Sequence, residues 1–288
     1  MLNTFDHAAR SRAPRRPARS LKQEYDEFLF QRIEEFKNRL TRAQLLEIGD
    51  EAVRELETAA ADQYLLTEVL LLEHVDRLIA RRLRLPGFQR WAKSHRTLRA
   101  AQREPTHWTL ERGTQLVACA RRLEPGDVTV VVGAAALPHA LFVAAHDVDV
   151  LLLDQDLGAI EAAEGRAVNE QLAGRFQALV VQLGAWLPDV PVTVAVLDPG
   201  TLAALDAAER HAAIAGLQAR TEPGGVHIIL PFAETLAAGV IPIAPEALLT
   251  EYAGWEIQRR PRSRRGGFAA TRQPLQSRQS DTQVNVSE

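Results

Sequence analysis

Cysteine, methionine and aromatic side chains are scarce in this chain: 288 residues hold one Cys, one Met, and 6% Phe, Trp and Tyr. A lone Cys119 excludes an internal disulfide framework, and with no second cysteine at short spacing it offers no motif for a metal or for thiol redox chemistry. No metal site is expected. Long apolar runs are missing too. The longest, beginning at residues 69–72, is broken by Glu68, Glu73, Asp76 and Arg77, whereas a membrane span requires roughly 20 apolar residues. No membrane-spanning segment is expected. The first twenty residues are Arg-rich but lack the apolar centre of a secretory signal, so the expected location is cytoplasmic.

Lysine is absent between residues 127 and 256, and arginine is sparse there. The net charge of -3 therefore hides an acidic centre between basic ends: Arg10, Arg12, Arg15, Arg16 and Arg19 on one side, Arg259, Arg260, Arg262, Arg264 and Arg265 on the other. Such ends are either a footprint for nucleic acid or another anionic surface, or solvated disordered tails. Phe5 and Phe268 are their only aromatic residues, so the stacking platform of a single-strand binder is lacking. Residues 1–20 and 259–288 carry too few large apolar groups to offset the entropy of ordering, and both are expected to be disordered.

What is present is periodic. Tyr25, Phe28, Leu29, Ile33, Phe36 and Leu40 recur at helical spacing, and Thr41 caps a second helix through Leu45, Leu46, Ile48, Val53 and Leu56. A third helix is expected over residues 62–85, ended by Pro86-Gly87, and a polar fourth over 88–102. Together residues 21–104 predict a small helical domain. After Pro105 the period changes. Short β-branched runs at 128–132, 148–153, 178–181, 192–197 and 226–230 alternate with Ala-rich helical stretches at 135–145, 158–172 and 206–219. This pattern predicts an α/β domain over 105–258, with a mostly parallel sheet and helices on both faces. Ligands of such sheets bind at the carboxyl ends of the strands, where the strand order reverses.

The run VTVVVGAAALPHALFVAAHDVDVLLLDQDLGAIEAA resembles the first strand–turn–helix–strand unit of class I S-adenosylmethionine-dependent methyltransferases, a Rossmann-like fold. Gly133 stands where the family's first loop glycine stands, and Asp154 ends the second strand, where the family carboxylate binds the ribose hydroxyls. Residues 221–230 (TEPGGVHIIL) resemble the family's turn into the fifth strand. Tyr252 onward (YAGWEI) is similar to a terminal strand, and PTHWTLERGTQLV from Pro105 to an entrance helix. The resemblance covers about 150 residues and implies S-adenosylmethionine as cofactor and a methyl acceptor as partner. The acceptor and the oligomeric state are not legible.

By the same resemblance the cofactor site comprises Gly133, Ala134 and Ala135 in the loop, Asp154 and Gln155 after the second strand, and Gln182 and Leu183 after the third. The sequence departs from the family at several of these places. Ala135 and Leu137 match the second and third glycines, with Leu137 expected to enter the space a glycine leaves. Val131 replaces the acid two residues before Gly133, and Gln182 stands near where an acid commonly binds the adenine amino group. Two missing carboxylates imply roughly 3–6 kcal/mol of lost affinity, so two functions stay open: methyl transfer, or an inactive binding or scaffolding module on the same fold. A nicotinamide dehydrogenase is disfavoured, because Gly133, Ala135 and Pro138 do not satisfy Gly-x-Gly-x-x-Gly.

Other residues have two readings each. Asp198, in the Asp-Pro-Gly turn after the fourth strand, is either a catalytic or substrate-anchoring carboxylate or a turn former. His107, with Trp108, closes the pocket or packs without chemistry. Asp156 supports the cofactor or caps a helix. His139 lies near the ligand or at the surface, and His227, in an apolar strand, is expected to be a hydrogen-bonded core residue.

Overall fold

The computed structural model describes residues 20–59, 68–231, 242–259 and 267–273, and they form two compact units, 19–101 and 102 onward. The expected tail over 1–20 falls outside the described residues except for Ser20. None of the described helices is long and apolar enough to cross a membrane.

In the helical unit, Ser20 and Gln23 form a reciprocal capping box that starts α1 (Leu21–Lys37). It is followed by α2 (Arg42–Ala59), α3 (Glu68–Arg82) and α4 (Phe88–Gln102). The predicted third helix began at residue 62, and its first six positions lie outside the described residues. Ile33, Ile48, Ala52, Val75, Leu78 and Ile79 make one small core. Tyr25, Trp91 and Ala92 make a second, flanked by Leu21, Phe28 and Leu29, where the Tyr25 hydroxyl donates to the Pro86 carbonyl at 2.9 Å.

The second unit opens with a 3-10 turn, Pro105–Trp108, and α5 (Gln115–Ala120). The expected entrance helix is thus two short pieces, separated by residues 109–114 with Thr109 left-handed (φ 60). The remaining elements are β1 (Val128–Val132), α6 (Leu137–Ala144), β2 (Asp149–Asp154), α7 (Leu157–Asn169), β3 (Phe176–Val180), β4 (Val192–Leu197), α8 (Pro199–Ala203), α9 (Ala207–Arg220), β5 (Thr221–Ile229), α10 (Pro245–Thr250), β6 (Glu256–Arg259) and β7 (Phe268–Thr271). All five β-branched runs are strands.

The sheet has seven strands in the order β3-β2-β1-β4-β5-β7-β6. Strands β1 to β5 pair in parallel, and β7 runs antiparallel to both β5 and β6. This is the mostly parallel, Rossmann-like α/β sheet that the alternation of strands and helices predicted. The expected domain end at 258 and the disordered stretch from 259 are corrected for residues 267–273, while 260–266 and 274–288 lie outside the described residues. Phe268–Thr271 is a strand between β5 and β6, and Phe268, Ala269 and Ala270 are buried. A four-residue strand with small side chains carries too weak an alternation to stand out beside the Arg-rich segment before it.

Both faces of the sheet are covered. Val131, Leu152, Val194, Val196 and Ile228 join Leu141, Phe142 and Ala163 in one layer. Val130, Val132, Leu153, Ala195 and Leu197 join Leu202, Ile214 and Leu217 in the other. Burial on both faces explains why these strands read as continuous apolar runs. In the second layer, His227 completes a buried chain. Thr221 Oγ1 donates to the Leu217 carbonyl at 2.7 Å and accepts from His227 Nε2 at 2.7 Å. His227 Nδ1 then accepts from the Tyr252 hydroxyl at 3.0 Å. The histidine is the hydrogen-bonded core residue expected from its strand.

Candidate functional site at the carboxyl edge

The strand order reverses between β1 and β4, and the register brings the ends of β1, β2 and β4 level: Val132 pairs with both Leu153 and Leu197. Gly133, Asp154 and Asp198 therefore emerge side by side at the switch point, where sheets of this kind bind ligands. The Gly133 amide donates to the Leu153 carbonyl at 2.9 Å, and the Asp198 amide to the Val132 carbonyl at 3.0 Å, so both turns are tied to the sheet.

Gly133 has φ +99, a conformation open to glycine but strained for other residues. A Cβ there would meet Thr201 Oγ1 at 2.2 Å and Asp198 Cβ at 2.9 Å. The space left by the missing side chain is thus filled by the turn after β4. Beyond Gly133 the chain forms a 3-10 turn, Ala134–Ala136, that leads into α6. Leu137 was expected to enter the space a glycine leaves. It is partly buried and packs against the core layer that contains Leu141 and Phe142. Val131 is fully buried in the same layer, which explains an apolar residue where the family carries an acid.

Asp154 is half-buried. Its Oδ2 accepts from the Ala134 amide at 2.6 Å and its Oδ1 from the Asp156 amide at 3.0 Å. A carboxylate has about four acceptor positions, so it is held in place with capacity left on each oxygen. Asp156 is the cap of α7, accepting from the Ala159 amide at 3.1 Å. Gln155 and Gln182 are exposed on this edge, together with Ala135. The Val181 amide donates to the Asp154 carbonyl at 2.8 Å, which brings the loop after β3 alongside. Leu183 is fully buried in the second core layer, so its side chain cannot line a ligand and only its main chain remains for that role. Gly184 follows with φ +90, and a Cβ there would meet the Glu209 backbone at 2.7 Å. This close approach to the first turn of α9 is the reason for a glycine. Leu157 and Trp186 add exposed apolar surface beside the glutamines.

Asp198 caps α8: its Oδ2 accepts from the Thr201 amide at 2.7 Å and the Thr201 hydroxyl at 2.9 Å. The predicted turn is a short helix, and Thr201, which sequence reasoning missed, belongs to the site because it packs on Gly133. An Asp three residues before a Thr is a recognisable cap, but its contact with Gly133 depends on β1 and β4 being neighbours.

His107 does not join this site. Its Nε2 lies 3.8 Å from Glu170, the C-cap of α7, and α7 starts at the carboxyl edge. Thirteen helical residues at 1.5 Å each put His107 roughly 20 Å away, at the opposite edge of the sheet. Trp108 is buried there, its Nε1 donating to the Gln102 carbonyl at 2.6 Å. Cys119 is buried, which pushes its thiol up to about 11 and leaves it protonated.

His139, in the first turn of α6, is half-buried, and its Nδ1 is enclosed without a hydrogen-bond partner. Burial pushes its pKa down to about 4 against the Asp198 charge and the Ala136 carbonyl, which both favour the cation. The ring is neutral near pH 7. Among the described residues, no group of three or more His, Cys, Asp or Glu is arranged to hold a metal.

No protein-family model matches the chain, and no curated protein matches it in sequence. Among solved structures it is similar to the glycopeptide N-methyltransferase MtfA complexed with S-adenosyl-L-methionine (16% identity, TM-score 0.43, 56% of this chain and 93% of that one). It is also similar to the N-methyltransferase NodS from Bradyrhizobium japonicum WM9 (17%, 0.45, 57% and 94%) and to the [4+2]-cyclase SpnF (18%, 0.44, 55% and 80%). By its own strand order, with β7 alone reversed beside β5, this chain has a class I methyltransferase-like fold.

Proposed function

We propose that the carboxyl edge of the sheet binds S-adenosylmethionine and that the chain transfers its methyl group to an acceptor approaching over Asp198. The observation that carries this reading is Asp154: a half-buried carboxylate, level with Gly133 at the switch point, oriented by two backbone amides and able to accept further hydrogen bonds on both oxygens. A ribose diol offers two such donors. Gly133, Ala134 and Ala135 would form the main-chain wall, Gln155 and Gln182 the polar flanks, and the Leu183 backbone the floor. Bound there, the cofactor supplies a sulfonium-activated methyl group. The protein's part is proximity and orientation, because the displacement is in-line.

A second reading, an inactive binding or scaffolding module, is favoured by the packing of Thr201 and Asp198 against Gly133 and by the lack of an acid at Val131. The two separate in thermal unfolding with S-adenosylmethionine or S-adenosylhomocysteine. Ligand at about 100 times its dissociation constant stabilises the fold by roughly 2.7 kcal/mol. The expected result is stabilisation of the native protein and its loss in Asp154→Asn, which keeps an oxygen for the Ala134 amide. No shift with either ligand would leave the scaffold reading.

A further inference from the structure

The sheet ends on β3 at one side and on β6 at the other, and the two edges are built differently. An exposed edge offers its amides and carbonyls to any other strand, and folded proteins blunt it with charge, proline, a bulge or a covering segment. β6 carries Glu256 and Arg259 at its ends, and its Gln258 carbonyl accepts from Gln115 Nε2 at 2.8 Å. β3 has none of these devices among the described residues. Its register with β2 is unbroken, no charged residue occurs from 176 to 188, and the one proline in that run, Pro188, lies past the strand.

The register identifies the unpaired groups. The Val181 amide donates to the Asp154 carbonyl, and the direction of the backbone alternates along a strand. Gln177 and Leu179 therefore turn their amides and carbonyls toward β2, and Phe176, Ala178 and Val180 turn theirs outward. The Phe176 amide donates to the Ala173 carbonyl. The outward amides and carbonyls of Ala178 and Val180 have no hydrogen-bond partner among the described residues. Ala178 is buried in the first core layer, whereas Gln177 and Val180 are exposed. One face of β3 is also thinly covered. The links from β1 to β2, β2 to β3 and β4 to β5 all contain helices, but residues 181–191, from β3 to β4, contain none. On the side of the second core layer, Leu151 and Leu179 are left half-buried, and Trp186, in the link itself, is 58% exposed.

We propose that β3 is the interface of a homodimer, in which two copies of the chain pair their β3 strands antiparallel about a two-fold axis at Leu179. This register sets Ala178 of each copy opposite Val180 of the other, where the two residues exchange both backbone hydrogen bonds. It sets Leu179 opposite Leu179 on the thinly covered face, so that the half-buried leucines cover each other. A two-fold axis brings each residue on it against its own counterpart, where a charged side chain would meet like charge. The uncharged run over 176–188 suits a second copy of this chain for that reason. The contrast between the edges also fixes the size of the assembly. One open and one guarded edge per chain close at two copies, whereas two open edges would continue into a polymer. Antiparallel pairing points the two carboxyl edges in opposite directions, and the dimer does not depend on the methyl-transfer reading of either one.

The test is sedimentation velocity of the full chain over about a hundredfold range of concentration. The expected result is a dimer that dissociates on dilution. Val180→Pro removes an outward amide and leaves the ladder with β2 intact, because that amide does not face β2. It should weaken the dimer by at least about tenfold, since one backbone hydrogen bond is lost per copy. Leu179→Lys and Leu179→Glu should each be monomeric alone and form a heterodimer when mixed in equal amounts, because opposite charges then meet across the axis. Circular dichroism shows whether each variant folds, and Val180→Pro decides the matter if neither Leu179 variant does. A native chain that stays monomeric, a species that keeps growing beyond two copies, or a dimer indifferent to Val180→Pro would each overturn the proposal. So would folded Leu179 variants that fail to pair on mixing. Slow hydrogen exchange at the Ala178 and Val180 amides of a monomer would show that another part of the chain covers this edge instead.

Discussion

The two units differ in how completely they bury what they fold around. In the sheet unit, Phe142, Leu141, Leu152, Leu153, Leu183 and Leu197 are all 1% exposed or less, and the central strands β1 and β4 are packed on both faces. In the helical unit the cores are small, and Phe30, Leu46, Val69 and Leu72 are more than half exposed. Its polar contacts are mostly surface ion pairs, such as Glu55 with Arg81 at 2.6 Å and Lys22 with Asp26 at 2.8 Å, a kind of contact that contributes little. Stability in this molecule should therefore be concentrated in the sheet unit, with the helical unit held by a few interior contacts.

The largest expected effect comes from breaking the well-packed side of this comparison. Phe142→Ala should cost the sheet unit about 3–5 kcal/mol, read as faster hydrogen exchange throughout its strands. Loss confined to α6 would mean that its layer is less cooperative than its burial suggests.

Acid should sharpen the comparison with a smaller effect. Burial, and then the nearby Arg272 charge, push His227 down to about 3, and burial pushes His139 down to about 4. In the unfolded chain both titrate near 6.5. Below that pH the unfolded state takes up protons that the folded state refuses, so the contribution is present above pH 6.5 and lost as pH falls toward 3 to 4. From pH 7 to 5, His227 alone should lower the stability of the sheet unit by about 2 kcal/mol. An unchanged urea midpoint over that interval would show that His227 is protonated in the fold.

The smallest effect tests the loosely packed side. Leu46→Ser, on the exposed part of α2, should change stability by no more than about 0.5 kcal/mol when helical-unit exchange is followed. A loss of several times that would show that this surface is covered in solution.

Much of the fold was legible because its signals are local. Five strands with mostly buried side chains read as short apolar, β-branched runs, and the alternation with Ala-rich helices predicted a parallel sheet. β7 was not legible: Phe268–Thr271 has little pattern of its own, and pairing with β5 and β6 through tertiary contact makes it a strand. At the site, Gly133 and Asp154 could be named because a strand end followed by glycine, and another followed by an acid, are visible in one stretch of chain. His107 was misplaced because closeness to β1 in sequence says nothing about which edge of the sheet the chain reaches first. That the Leu183 side chain turns into the core, leaving only its main chain at the edge, was not legible, because a single apolar residue in a polar loop does not reveal which way it points.

By itself, then, the amino-acid sequence determined the two kinds of secondary structure, their order, and the glycine and carboxylate at the ends of β1 and β2, since each depends on periodicity or on a few adjacent residues. Tertiary structure alone decided that Thr201 fills the space beside Gly133 and that Asp154 is oriented by the Ala134 amide. These pairings join residues tens of positions apart. They exist because β1 lies between β2 and β4, and the order of strands in a sheet is settled by packing the whole chain at once.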